Sequence, residues 1–439
     1  MLDTTQSSDS DILPLANDFT EASEDSWISL LEKTLDGKPH ERIISKTYDG
    51  ISIKPLYSAS DENARFASPQ PRKATAENLA ANHWDIRCFS AHPDPAEANR
   101  QILDDLHKGA TSVWLKLDPV GHSGTIIKSR ADMERLLEGV YLDLAPVVLD
   151  PGGPSLPPAA YLMHLIQDQG CDFAAFRGNF GADPLSTLAS VGKVIVPMNT
   201  LLGRMADLTA YVSSTYPNAQ ALNVSTSVYH SAGCSEAQEL AIAMATAVEY
   251  LRHTTCIGLS IDEACSQIAF TLTCDTDVFL TIAKLRAARH LWKRVAEASG
   301  ASNERQISTI GAVTAPRMMS RRDPWVNILR GTAACFGAAI GGADSITVLP
   351  FEHAIGLPSG LGRRVARNMQ IVLQEESSLN RVADPAGGAW MIESITNALV
   401  EQAWENLQDI ERRGGMASTL AEGYIAQIVA ETEVARARN

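Results

Sequence analysis

The sequence contains no Cys-x-x-C pair, and its seven cysteines (Cys88, Cys171, Cys234, Cys256, Cys265, Cys274 and Cys335) are scattered without tight spacing. An odd, dispersed set in a long chain reads as reduced thiols, most of them packed as small hydrophobes. The ten histidines do not gather around them, so no zinc centre is expected. No apolar run approaches the roughly 18 residues a membrane helix needs, because Gly, Arg or Asp breaks every candidate. Basic stretches are missing too. Lys and Arg number 37 against 52 Asp and Glu, a net charge of −15, and that field disfavours nucleic acid as a partner. The opening MLDTTQSSDSDILPL has neither the basic start of a signal peptide nor the arginines of a transit peptide. The expectation is a soluble, cytoplasmic globular protein. Its 439 residues, 45% hydrophobic and 20% charged, suffice to bury roughly 75% of the unfolded surface.

Residues 1–80 read as an N-terminal extension rather than a domain. A polar, frayed start precedes an amphipathic helix carrying Trp27, Leu30, Leu31 and Leu35. A hairpin follows, because two alternating runs in RIISKTYDGISIKPLY (42–57) flank the turn pair Asp49-Gly50. Residues 58–82, with Pro69 and Pro71, read as a connector. From about Asp85 the pattern turns regular. Eight β-rich runs, DIRCFS, TSVWLKL, PVVLD, DFAAF, ALNVSTS, SQIAFTL, QISTIGAV and DSITVL, alternate with helical segments. The helices have good caps: Asp94-Pro95-Ala96-Glu97 opens one that ends at Lys108-Gly109, and Ser235 with Gln238 forms a capping box. Asp323-Pro324 opens another. Eight strand–helix alternations predict an α/β chain whose residues 81–439 form a (β/α)8 barrel, although an open doubly wound sheet gives the same alternation. Beyond the eighth run the pattern predicts a helix over 359–378, a turn at Asp384–Gly388 and a helix from about 391 to 413. The last 25 or so residues are too few for a further domain.

Generic catalytic motifs are absent: no Walker A, no G-x-S-x-G, no H-E-x-x-H. GLPSGLG (356–362) follows no strand directly and reads as a helix start. DLHKGA (105–110) comes near an Asp-x-His-x-x-Gly cobalt-ligating signature, but its glycine falls one place early and His107 lies at a helix end, where capping is the simpler role.

The C-terminal half carries a stronger pattern. YHSAGCSEAQELAIAMATAVEYLR (229–252), IAKLRAARHLW (282–292), FGAAIGGADSITVLPFEHAIGLP (336–358) and RNMQIVLQEESSLNRVADPAGGAWMIESIT (367–396) appear in this order. Together they resemble the acyl-CoA mutases of the methylmalonyl-CoA mutase family over roughly residues 80–416. The resemblance implies a barrel whose interior holds an acyl-CoA thioester, closed by a flavodoxin-like domain that supplies adenosylcobalamin.

This chain departs from that pattern where the family touches substrate. The region of the catalytic Thr-Met-Tyr segment reads ATAENLAANHW, without a tyrosine, and the Thr-Ile-Gln stretch matches Asn179-Phe180-Gly181. Arginines of the active chains fall at Val191 and Gln267, a nearby serine at Ala269, and two polar anchors become Asp344 and Thr347. Each lost charge-assisted hydrogen bond is worth on the order of 1.5–3 kcal/mol, and several together would abolish specific binding. Asp344 is expected at a strand's C-terminal end, inside a pocket meant for an anion. Only Tyr229-His230 stands where the family sets a histidine against the thioester carbonyl. These two are the candidate catalytic residues, read as relics, while no substrate-binding, cofactor-binding or metal residue is assigned.

The opening of the chain is similar to the N-terminal arm of the family's small subunits. That likeness implies a non-catalytic small subunit paired as a heterodimer with a large catalytic mutase subunit. Adenosylcobalamin and acyl-CoA would then be bound by the partner, with no cofactor and no cobalamin-binding domain expected in this chain. The alternative is an active acyl-CoA mutase barrel, with His230 polarising the thioester, that uses a separate cobalamin-domain protein.

Overall fold

Parallel strands with β-branched and aliphatic residues at their centres must bury both faces, and eight of them do so here by closing on themselves. The computed structural model describes residues 23–61 and 83–438. Two short antiparallel strands come first, β1 (Ser45–Lys46) and β2 (Ser52–Ile53). The barrel strands follow: β3 (Asp85–Ser90), β4 (Ser112–Lys116), β5 (Val147–Asp150), β6 (Gly178–Ala182), β7 (Ala219–Ser225), β8 (Ile268–Cys274), β9 (Thr309–Thr314) and β10 (Ser345–Thr347). They pair in sequence order, and β10 closes on β3 in the register Ser345↔Asp85 and Ile346↔Ile86. This is a (β/α)8 barrel, and among the described residues it is the only parallel sheet. No flavodoxin-like domain accompanies it there.

Local chemistry sets the helices. Asp94 accepts from Ala96 N ahead of Pro95–His107, with proline at the first helical position. The capping box of Ser235 and Gln238 is formed on both sides and opens Glu236–Cys256. Ser359 accepts from Gly362 N at the start of Gly360–Ile371, which then widens into a π-turn at Val372–Glu376 instead of continuing as α-helix to 378. Trp390–Arg412 forms the long C-terminal helix. Two further helices, Met416–Ala421 and Tyr424–Arg438, occupy the residues after it. Tyr424–Arg438 packs on Glu236–Cys256, where Gln238 Nε2 donates to Ile428 O.

One predicted strand is displaced. DFAAF (172–176) is a turn, with Ala174 N donating to the Asp172 carboxylate and Ala175 N to its carbonyl. Phe176 instead joins Phe180 and Tyr216 in an aromatic cluster. The fourth barrel strand is the glycine-containing Gly178–Ala182. Gly181 has φ 71°, and a Cβ there would collide with Leu149 O of β5, so no other residue fits.

Two compact units divide the described residues: 23–47 with 52–56, and 48–51 with 57–61 and 83–438. In the first, Glu24–Thr34 is helical, with Ser23 accepting from Ser26 N, and it carries no buried residue. In the second, the turn residue Asp49 accepts from Ser235 Oγ and, at 3.2 Å, from Ala237 N. The expected frayed start lies outside the described residues, as do most of the 58–82 connector and the 80/81 boundary.

Candidate functional site

Barrel catalysis collects at the C-terminal ends of the strands, where the βα loops converge. A cavity of about 310 Å³ lies there, with Phe89, Trp114, Lys116, Asp150, Asp183 and Asn223 in its lining. Its floor is apolar. Phe89 and Trp114 meet edge to face with centroids 5.3 Å apart, over a buried cluster of Trp114, Val148, Val313, Met319 and Leu349. Side chains from β3, β4, β5 and β9, with Leu349 just past β10, thus form the apolar floor of the cavity.

The walls are polar and nearly charge-neutral. Lys116 Nζ lies 2.9 Å from both carboxylate oxygens of Asp150, and it is the only Lys or Arg among the described residues lining the cavity. The Asp183 carboxyl accepts from Tyr250 Oη at 2.6 Å, Ser225 N at 2.8 Å and Ser186 N at 3.0 Å. Burial outweighs those bonds and pushes its pKa up to about 7. His353 is held below the ordinary histidine range by burial and lies edge-on to Phe89. Such a pocket suits neutral, hydroxyl-bearing groups better than a free carboxylate, which would find its one cation already paired.

Tyr229 and His230 stand on the short helix Ser227–Ser231 after β7. Ser227 and Val228 line the cavity, whereas Tyr229 and His230 do not. His230 is fully buried. Arg317 Nη2 approaches its Nε2 at 3.0 Å, and Arg317 Nη1 donates to its carbonyl at 2.8 Å. A guanidinium only donates, so Nε2 is the acceptor and the proton resides on Nδ1. Burial first, then Lys284, Arg317 and Arg436, hold His230 well below its usual pKa. Nδ1 and the Tyr229 hydroxyl have no hydrogen-bond partner among the described residues.

The remaining sequence candidates scatter. Asp344 is not at the C-terminal end of its strand. It directly precedes β10, at the opposite face, where it accepts from Ile310 N at 2.7 Å and pairs with Arg289 at 3.1 Å. The tight turn from Gly341 to Ala343 delays strand entry, so the acid that looked like an intruder in the pocket is a ladder end-cap. Gln267 precedes β8 on that same face and holds Ala221 N. Val191 ends the helix Pro184–Val191 and is exposed. Ala269 and Thr347 are buried strand residues, and Asn179 holds Gly181 N and Leu222 O.

Lys116, Asp150 and Asp183 were not singled out by sequence reasoning. Each stands at or just beyond the last residue of a strand, and that position was the available signal.

A profile of the methylmalonyl-CoA mutase family matches residues 46–439. The chain belongs to the methylmalonyl-CoA mutase family. It is 43% identical over 437 residues to the methylmalonyl-CoA mutase small subunit of Streptomyces virginiae, covering 96% of this chain and 69% of that one. With the small subunit of Propionibacterium freudenreichii subsp. shermanii, identity is 34% over 442 residues, covering 97% and 68%. With the Escherichia coli K12 methylmalonyl-CoA mutase it is 29% over 428 residues, covering 92% and 59%. Methylmalonyl-CoA mutases are isomerases, and the subunit named in the two more similar relatives is the small one.

The cobalamin of this family finds no fitting ligand at the one segment that resembles a cobalt-binding loop. His107 is the exposed last residue of Pro95–His107. Asp105, two residues before it, is buried between Arg363 and Arg367. Among the described residues, no group of three or more His, Cys, Asp or Glu is placed to hold a metal ion.

Proposed function

We propose that this chain is the non-catalytic small subunit of an adenosylcobalamin-dependent methylmalonyl-CoA mutase. Residues 81–439 are its barrel domain and residues 1–80 an arm. It pairs with a large catalytic chain that binds both cofactor and acyl-CoA and interconverts methylmalonyl-CoA and succinyl-CoA. The observation that carries the reading is the apolar cluster packed at the C-terminal ends of the strands. A family whose barrel holds the acyl-CoA thioester needs room there, and here Phe89, Trp114, Val148, Val313 and Leu349 pack together as an apolar plug.

Two further features support it. The cavity above that plug has no unpaired cation for a substrate carboxylate, since Lys116 is held by Asp150. His230 and Tyr229 are relics on this reading, because the His230 Nε2 that would polarise a carbonyl faces a guanidinium instead. A role in the cytoplasm accords with the described helices, none of which is long and apolar enough to cross a membrane.

Co-expression with the large chain tests the proposal. The two should co-purify and show mutase turnover with added adenosylcobalamin, whereas this chain alone should show none. Separate elution, or turnover by the isolated chain, would overturn it.

A further inference from the structure

On the outer face of the barrel, a cleft of about 510 Å³ runs between the helices Pro95–His107 and Gly360–Ile371. Five cationic side chains line it, Arg100, Lys108, Arg363, Arg364 and Arg367, against the carboxylates of Glu97 and Asp104. Behind them, Asp105 bridges Arg363 and Arg367. In a chain of net charge −15, this is a local excess of positive charge.

The pairing inside the cleft is incomplete. Arg100 is held by Glu97 and Lys108 by Asp104. Arg363 and Arg367, 9% and 5% exposed, share the single carboxylate of Asp105, one Nη1 to each oxygen. Two buried guanidiniums meet one carboxylate, Arg363 Nη1 also donates to Gln101 O at 3.0 Å, and their buried Nε–H groups have no partner among the described residues. Buried charge persists only where it is paired, and buried donors only where they are satisfied. Arg364 is exposed and has no carboxylate partner among the described residues. Gly360 and Leu361, at the start of Gly360–Ile371, also line the cleft, and the Glu352 carboxylate accepts from Ser359 N and Oγ at that helix end.

We propose that this cleft binds a phosphoryl group. Four guanidiniums and one ammonium line it, and Arg363, Arg364 and Arg367 come from one helix face across from Arg100 and Lys108. A phosphoryl dianion, with more charge and more acceptor oxygens than a carboxylate, can accept from several guanidiniums at once. The phosphoryl group is supplied either by a small free phosphate or by the nucleotide end of a coenzyme. The inference is independent of whether the chain acts as a small subunit.

Calorimetric titration of the full chain with inorganic pyrophosphate, at constant ionic strength, tests it. Saturable one-site binding is expected, at least tenfold weaker in Arg364→Gln and in Lys108→Gln, with thermal unfolding unchanged. Arg130→Gln, at an exposed residue that is not part of the cleft lining, should bind as the parent does. Competition between coenzyme A and pyrophosphate assigns the group to a coenzyme, and lack of competition assigns it to free phosphate. Absence of saturable binding would overturn the proposal, as would equal affinity in Arg364→Gln or an equal loss in Arg130→Gln.

Discussion

Arg317 binds His230 at two points, through its Nε2 at 3.0 Å and its carbonyl at 2.8 Å. The same Arg317 Nη2 lies 3.0 Å from Asp275, so the histidine is tied into an ion pair that bridges the loops after β8 and β9. A residue held this way positions loops. Replacing His230 with Ala should leave turnover of the assembled mutase within about twofold of the parent, measured by steady-state assay. A general acid or an electrophile at a thioester contributes at least roughly a hundredfold, so a loss of that size with the complex intact would restore His230 to catalysis.

Asp183 gives the barrel a pH dependence whose sign follows from its pKa of about 7. The unfolded chain releases this proton near pH 4, whereas the folded chain keeps it until about 7. The folded state therefore binds more protons between those values, and stability falls as pH rises through that window, by up to about 1.4 kcal/mol per unit, and levels off above it. Asp183→Asn should remove this slope. Urea midpoints of parent and variant from pH 5 to 8 would show the difference narrowing or widening with pH. Parallel curves would contradict the assignment.

Gly181→Ala should destabilise the fold by more than about 2 kcal/mol, because the left-handed backbone and the approach to Leu149 O act together. Gly153, which has nothing within 4 Å of an added Cβ, is the control, and Gly153→Ala should lie within about 0.5 kcal/mol of the parent. Chemical denaturation measures both.

Trp114→Ala removes the largest side chain of the plug and should cost about 3–5 kcal/mol, the usual penalty for an aromatic cavity. Thermal unfolding reports it. A loss below 1 kcal/mol would mean the interior is looser than the packing of Trp114 on Phe89 indicates.

Much of this architecture was legible in the residues. Alternating runs bounded by capped helices gave away seven of the barrel strands, because cap chemistry at Asp94 and Ser235 is local and survives in the fold. Two misreadings have separate causes. DFAAF has the better strand composition, but Gly178–Ala182 is the segment whose backbone can approach β5, and close approach is a tertiary property that hydropathy does not carry. Asp344 was assigned to the wrong end of β10 because that strand has only three paired residues, Ser345–Thr347, within a longer apolar run. The cavity itself was hidden for another reason. Lys116 and Asp150 are 34 positions apart, and only the in-register pairing of β4 with β5 brings Lys116 opposite Asp150.

The account rests on a barrel closed to acyl-CoA, and the number of acyl-CoA molecules bound per assembled complex tests this most directly. Equilibrium dialysis of the purified complex with a non-reactive acyl-CoA analogue should give one in an active site, held by the large chain, and the count should be unchanged when this chain carries Lys116→Met or His230→Ala. Two active-site molecules per complex, with one lost on Lys116→Met or His230→Ala, would contradict the account and make this barrel a working mutase site.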